Sequence, residues 1–493
     1  MLSARSAGGL RRLHAAAVSE ISDFGTIVLA VSATVFVALL GMRLADRFSL
    51  PYAVVFLVGA AVLSEIETDL QDVLSIQQVE RLTVVALVVI LFDGGLHIGL
   101  RRFRASAGPI LALGVLGTFA TAGLVAVAAH YVLGFDWILA GLVGAAVAPT
   151  DPAVTFSVFG GREIRGRSGT VLEGEAGMND PVGIALMIGM IELATADDAS
   201  FWIVVEEFAV EMALGLAVGV AGALLLLPVL RRVALTGLAL YPIRVLAGAG
   251  IVYGLASLIG GSGFLAAFVA GLLLGDAAAP RKGEIEAFSA SLAGLAEIAA
   301  FVALGLTVSL ADVHTFGIWQ DGLVLALLLA FVIRPLAVLP LLLPTRLGWN
   351  ERAFIAWGGL KGAVPILLGA LAVLAEADDE SRLYGIVFVV VLFSVVVQGA
   401  TVPHVAHRLR IPFRRVHHDL AEVREFVVAD GALACGRMVR ELPLGERAWV
   451  GVVVREGRPR RLDDALVLEP GDRVHVYHRP EDSPALARIF EGG

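Results

Sequence analysis

Ala148-Pro149-Thr150-Asp151-Pro152-Ala153 and Glu173-Gly174-Glu175-Ala176-Gly177-Met178-Asn179-Asp180-Pro181 set aspartates inside apolar sequence, the first within Trp137 to Phe156, the second within Ser168 to Leu193. Each run is long enough to cross a bilayer, which takes roughly 20 residues. A carboxylate near the middle of such a span costs about 2.5–3.5 kcal/mol on insertion scales. Asp-Pro often marks an ordinary turn between helices, but these flanks are apolar far beyond what a loop needs. Asp151 followed by Pro152 has the form of a helix N-cap with proline at the first position, so a helix can restart there at membrane depth. Pro181 lacks an N–H and crowds the carbonyl of Gly177, leaving that oxygen free. Irregular backbone at this depth has to line a cavity or be buried in protein. Free carbonyls, hydroxyls and carboxylates together make a cation site.

Composition agrees with a membrane protein. The chain has 493 residues, 58% of them hydrophobic, and a mean hydropathy of +0.84, which no soluble globular protein of this size shows. The net charge of −9 says little about partners, because the charges concentrate in loops and in the tail. A single cysteine, Cys435, excludes an intramolecular disulfide and a cysteine metal cluster. Arg5, Arg11 and Arg12 precede no convincing cleavage site, so no signal peptide is expected.

Thirteen apolar runs follow, roughly 24–44, 51–66, 82–100, 109–133, 137–157, 168–194, 203–230, 240–259, 262–276, 286–309, 321–344, 352–375 and 383–406. Alternate loops are basic, from Arg43 and Arg47 through Arg101, Arg102 and Arg104 to Arg408 and Arg410. The others are acidic, from Glu65, Glu67 and Asp69 to Asp378, Asp379 and Glu380. The positive-inside rule puts the basic set in the cytoplasm, the N-terminus outside and the tail inside. The three N-terminal arginines fall outside this pattern. The twelfth run, seven after the fifth, reads Trp357-Gly358-Gly359-Leu360-Lys361-Gly362-Ala363-Val364-Pro365 and is also expected to break. Paired broken helices in two halves indicate an inverted repeat with its site where the breaks meet. The expected fold is therefore an all-α polytopic membrane domain of about thirteen helices in inverted repeats, with a small cytosolic α+β domain. Residues 1–23 are an N-terminal extension, 24–410 the membrane domain and 411–493 the tail. In the tail, Glu425 to Val428, Ala448 to Val454 and Arg473 to Tyr477 read as strands, and a helix begins near Asp482 or Ser483.

Few other charges enter the apolar runs. Glu175 and Arg334 suit a buried ion pair, since either alone is expensive. Lys361 either balances the partial charge of half-helix ends or pairs with an acid. Asp93 either lines a cavity or sits near the cytoplasmic interface, and Glu297 stands in the tenth run. Gly260-Gly261-Ser262-Gly263 matches the pattern of intramembrane serine proteases. That chemistry needs a histidine base within hydrogen-bond reach, whereas His314, His404 and His407 lie at span ends or in loops. The Gly-x-Gly-Asp signature of intramembrane aspartyl proteases is missing. A short turn explains the glycines, and a transporter, not an enzyme, is expected.

Four motifs together resemble the monovalent cation:proton antiporters, in particular the bacterial Na+/H+ exchanger-like (NhaP-type) group. They are Ala148-Pro149-Thr150-Asp151-Pro152, Glu175 through Asn179-Asp180-Pro181, Ser262-Gly263-Phe264-Leu265-Ala266 with Gly271, and Gly359-Leu360-Lys361-Gly362-Ala363-Val364. The likeness covers residues 24 to 410. The tail resembles the C-terminal lobe of RCK (TrkA-C) domains, and antiporters with such a tail are often potassium/proton exchangers. The resemblance implies a homodimer with a scaffold and a mobile six-helix core in the cytoplasmic membrane. It also implies Asp180 as the essential ion and proton carrier, with Thr150, Asp151 and Asn179 around it; Asp93, from its own place in the third run, is a further candidate ion ligand. Relatives commonly have serine where Ala176 stands and arginine where Lys361 stands. Expected partners are monovalent cations (K+ or Na+), protons, membrane lipids and a second copy, with no cofactor and no nucleic acid. With Asn179 beside Asp180 in place of a second aspartate, one proton per cation and electroneutral exchange are expected. The competing class is a cation channel gated by the tail, which would conduct without proton coupling; no Thr-Val-Gly-Tyr-Gly-like filter occurs.

Overall fold

A computed structural model of the chain describes residues 51–66, 75–151, 162–164, 166–196, 201–237, 239–315, 317–375, 380–415, 422–444, 448–460, 466–478 and 482–492, with single helical positions between 25 and 40. These residues fall into two compact units, one running to Phe413 except for a short segment at Arg162 and Glu163, and one made of that segment and the residues from Arg414 onward. The first apolar run and the continuation of the fifth beyond Asp151, including the expected restart at Pro152, lie outside the described residues.

The larger unit is helical. In chain order come α1 (Tyr52–Ile66), α2 (Ile76–Ala105), α3 (Ala107–Leu133), α4 (Trp137–Val147), α5 (Arg167–Thr195), α6 (Phe201–Arg232) and α7 (Leu240–Leu258). Then follow α8 (Gly263–Gly275), α9 (Lys282–Leu306), α10 (Ile318–Leu342), the bent pair α11 (Trp349–Gly358) and α12 (Ala363–Leu374), and α13 (Arg382–Arg408). Among the described residues, seven helices are long and apolar enough to cross a membrane, or eight if the bent pair is one span. The shorter α1, α4 and α8 are apolar but too short for that measure. Helix α5, at 29 residues, is long enough but carries Glu173, Glu175 and Asp180. Thus the helical, multi-span architecture stands, while the described helices do not by themselves give the expected number of thirteen.

Local sequence explains where these helices start. Ser75 and Gln78 form a capping box at α2, and the Asp136 carboxylate accepts the N–H groups of Ile138 and Leu139 at 2.9 and 3.0 Å to open α4. Ser262 caps α8 by accepting from Leu265, and Gly260 has a positive φ of 77°. The glycine-rich segment is therefore a tight turn, and its serine is a helix cap. Helices α4, α8 and α12 are buried on nearly all sides, as expected of helices apolar all round. Helices α2 and α8 cross where Gly95 and Gly271 face each other's backbone. A Cβ at Gly95 would lie 2.8 Å from Leu272 N, so only glycine allows this approach.

Helices α3 and α10 each carry a π turn, Ala112–Gly117 and Leu329–Ile333, and α13 carries a third at Ser394–Gln398. Nothing in the hydropathy announces them. The second unit is a four-stranded antiparallel sheet with one helix. Its strands are β1 (Glu422–Val427), β2 (Trp449–Arg455), β3 (Arg458–Arg460) and β4 (Arg473–His478), in the order β1-β4-β2-β3, followed by α14 (Ser483–Phe490). Phe426, Val453, Val474, Val476, Leu486 and Phe490 form its core. The turn Glu469 to Asp472 is locked by Asp472, which accepts the Glu469 N–H at 2.8 Å and receives Arg455 through two bonds of 2.8 and 2.7 Å.

Candidate functional site

The site is built where two interrupted helices meet. Helix α4 ends at Val147, and the chain runs on through Pro149, Thr150 and Asp151 without helical structure. Helix α11 ends at Gly358, and α12 starts at Ala363 after the non-helical Gly359 to Gly362. The two interruptions bond to each other, with the Asp151 N–H donating to the Leu360 carbonyl at 2.7 Å. Gly362 lies directly against the Asp151 carboxylate and Gly359 against the Arg334 guanidinium, so a side chain at either glycine would occupy the space those groups fill.

Lys361 reaches from one interruption into the other. Its buried Nζ donates to the carbonyls of Ala148 and Pro149 at 2.7 and 3.0 Å. Those oxygens lie at the C-terminal end of α4, where the helix dipole is negative. Of the two roles open to Lys361, the geometry is that of balancing a half-helix end. Among the described residues no ion pair joins it to an acid, although the charges of Glu175 and Asp180 reach it. Its own N–H donates to Ser394 Oγ at 2.9 Å, and Ser394 donates to Gln398 Oε1 at 2.8 Å, both within the π turn of α13. A π turn displaces side chains from the ordinary helical register and is frequent at functional sites.

Helix α5 packs against this junction because Gly183 lets Pro149 rest on its backbone, and it runs through Pro181 without ending. Asn179 donates to Thr150 Oγ1 at 2.8 Å and accepts the Thr150 N–H at 3.4 Å, tying α5 to the first interruption. Asp180 follows, 5% exposed, and its Oδ1 is buried with no hydrogen-bond partner. The Asp151 and Lys361 charges both act on it. One turn before Asn179, Glu175 faces Arg334, the residue just after the π turn of α10, with Nη2 to Oε1 at 2.9 Å and both side chains 3% exposed. Arg334 also donates to the carbonyls of Ala356 and Ile355 at 3.2 and 3.4 Å, near the end of α11.

The structure thus brings together Thr150, Asp151, Asn179, Asp180 and Lys361, with Glu175 and Arg334 alongside. Asp93 stands apart: it pairs with His97, Oδ2 to Nδ1 at 3.3 Å, and among the described residues no bond joins it to the cluster. The residues missed from sequence are Ser394, which accepts the Lys361 N–H, Gln398, which accepts from Ser394, and Tyr52, which hydrogen-bonds Glu297. A tyrosine at the start of a short apolar run reads as an interfacial aromatic and carries no signal for that contact.

The family described as sodium/hydrogen exchanger, transmembrane, matches residues 32–408, and the TrkA-C domain matches residues 423–491. A K(+)/H(+) antiporter NhaP from Alkalimonas amylolytica is 29% identical over 478 residues, covering 94% of this chain and 83% of its own length. A K(+)/H(+) antiporter NhaP2 from Shewanella sp. (strain ANA-3) is 31% identical over 424 residues, covering 82% of this chain and 73% of its own. The solved structure of the sodium proton antiporter MjNhaP1 from Methanocaldococcus jannaschii superposes with a TM-score of 0.64 at 22% identity, covering 76% of this chain and 99% of that one.

Proposed function

The chain belongs to the sodium/hydrogen exchanger family, as an antiporter and not an enzyme, and from that premise we propose that it exchanges K+ or Na+ for protons at Asp180. Two relatives that span most of the chain carry K(+)/H(+) in their names, which favours potassium. The observation that carries the proposal is the buried Asp180 carboxylate with an unbonded oxygen, within reach of the charges of Asp151 and Lys361 in the two helix interruptions. Nearby cation and proton compete for such a group, because each relieves the same cost of buried negative charge. Thr150 and Asn179 position α5 against the first interruption, and Asp151 supplies a second carboxylate. Glu175 and Arg334 are a structural pair, and Lys361 holds the ends of the broken helices.

The mobile unit carries only neutralised carboxylates across the barrier, since bare charge there is costly, and one cation leaves for each proton that enters. The protein is a homodimer of thirteen-span subunits in the cytoplasmic membrane, N-terminus outside, with residues 24–410 as the transport domain and 411–493 as a cytosolic regulatory domain. The matching π turns of α3 and α10, spans four and eleven, support the inverted repeat. The rival of a tail-gated channel is set aside by family membership.

The test is pH-gradient dequenching in proteoliposomes with Na+, K+ and Li+ added in turn, for the wild type and Asp180→Asn. The variant is expected to remain a folded dimer and to lose exchange completely. Turnover like the wild type in a well-folded variant overturns the assignment of Asp180.

A further inference from the structure

A third buried acid lies near this junction, and the exchange proposed at Asp180 does not use it. Glu297, in the second half of α9, is 4% exposed. Tyr52, at the start of α1, donates its hydroxyl to Glu297 Oε2. The other oxygen, Oε1, is buried and has no hydrogen-bond partner. Among the described residues no lysine, arginine or histidine forms an ion pair with it. A glutamine could accept the same hydrogen bond from Tyr52, so packing alone does not call for an acid here. An ionisable group buried in a membrane span without a countercharge is a functional group by default.

Its position leads back to the helix interruptions. Pro51 and Leu360 both lie against the backbone of Gly399, their side chains 2.7 and 3.8 Å from where a Cβ would stand. Leu360 is the residue whose carbonyl accepts the Asp151 N–H. The start of α1, and with it Tyr52, therefore adjoins the junction that holds Asp151. The Asp151 charge acts on both Tyr52 and Glu297. Helices α1, α2, α7 and α12 pack on α9, and among the described residues only Tyr52 and Asp151 bring a titratable group to bear on Glu297.

We propose that Glu297, held by Tyr52, is a second proton- and cation-accepting carboxylate of the transport path, acting with Asp151. In the proton-loaded form the pair holds one proton and carries one negative charge. A partly dehydrated monovalent cation binding at the open Oε1 of Glu297 displaces that proton to water, and the pair again carries one negative charge. No covalent bond other than the O–H changes, and the exchange at this pair is one for one. This deepens the antiport reading and rests on it, but cation binding at Glu297 has a readout of its own.

The experiment compares wild type, Glu297→Gln, Glu297→Asp and Tyr52→Phe. One measurement is thermal stabilisation in detergent by KCl and NaCl, with choline chloride holding ionic strength constant. The other is the pH profile of cation-driven dequenching in proteoliposomes. Glu297→Gln is expected to raise the half-maximal cation concentration about tenfold, which is about 1.4 kcal/mol, and to displace the pH profile. Glu297→Asp should recover part of both effects, and Tyr52→Phe should move them in the same direction by less. Wild-type cation affinity and pH profile in Glu297→Gln overturn the proposal. If that variant does not fold, unchanged values in both Glu297→Asp and Tyr52→Phe overturn it instead. Cation stabilisation that is lost in Glu297→Gln, in a wild type that moves no protons, keeps the site and sinks the antiport reading.

Discussion

Arg334→Ala should destabilise the membrane unit more than Glu175→Ala, although the two side chains form one ion pair. Both are 3% exposed, so removing either leaves a buried charge without its partner, at a cost of about 3–5 kcal/mol. The survivors differ. Without Glu175, the guanidinium keeps its bonds to the carbonyls of Ala356 and Ile355, which puts Glu175→Ala near the lower end of that range. Without Arg334, the carboxylate is bare and those two carbonyls lose a charged donor, which adds about 1–3 kcal/mol. The double variant has no orphaned charge and loses only packing and the carbonyl bonds. It should therefore fall short of the sum of the single effects by about 3 kcal/mol or more. Reversible unfolding in bicelles by steric trapping gives these differences directly, with size-exclusion profiles to check that each variant is folded. Additivity to within about 0.5 kcal/mol, or a Glu175→Ala more damaging than Arg334→Ala, refutes the reasoning.

Electroneutral exchange moves no net charge, so a potential clamped with an ionophore should leave the initial rate unchanged; a steady current on solid-supported membranes would falsify one-for-one coupling. Truncation after Arg415 should leave cation-driven proton movement intact and alter its pH profile or apparent ion affinity, since every residue placed on the ion path precedes the tail; loss of all exchange in a folded truncation would show that the tail is part of the machinery. In the tail, burial pushes the Asp472 carboxyl up, but the Arg455 side chain and the Glu469 N–H outweigh it and hold the carboxyl below its usual value. A depressed folded value means that this stabilisation is complete above the unfolded value of about 3.9 and is lost as pH falls from there through the folded value. Hydrogen exchange of β2 and β4 in the full chain should therefore be steady at neutral pH, after correction for intrinsic rates, and lose protection only below about pH 4. Asp472→Asn should cost about 1–3 kcal/mol in the same region at neutral pH, and protection equal to wild type there would count against the Arg455 contact as a stabilising one.

Much of the architecture was legible because the bilayer makes polar groups conspicuous. Asp151, Glu175, Asp180, Arg334 and Lys361 stand out of apolar sequence, and glycine and proline mark both interruptions. Opposite charges in apolar runs have few places to go, so the meeting of Glu175 with Arg334 could be inferred from cost alone. What could not be read depends on backbone register or on long-range approach. A π turn needs one additional residue in a helical turn and leaves hydropathy unchanged, so the three at Ala112, Leu329 and Ser394 gave no signal. The target of Lys361 is a pair of carbonyls more than two hundred residues away, and main-chain oxygens have no sequence signature. The strand Arg458–Arg460 is a short, exposed edge with a proline at its centre, a composition that argues against a strand and is tolerated only because the edge needs fewer ladder bonds.

The charges at the junction also bear on coupling. Glu175 and Arg334 neutralise each other. Lys361, the remaining cation of the cluster, gives two of its ammonium hydrogens to Ala148 and Pro149, so its charge is anchored to the end of α4 and cannot follow a titrating acid. The Asp151 charge acts on both Asp180 and Glu297. Three ionised acids against one anchored lysine leave a deficit of two positive charges in a place where each uncompensated charge costs several kcal/mol. Among the described residues no further cation forms part of the cluster, so on the proposed assignment protons or transported cations make up that deficit. On the proposed assignment the same arrangement would bind the cargo and penalise movement without it: a junction that has lost its cation and not regained its proton would be the costliest of its states. Tight coupling then needs no separate gate, and replacing Lys361 with a neutral residue would deepen the deficit while removing the tie between the two broken helices.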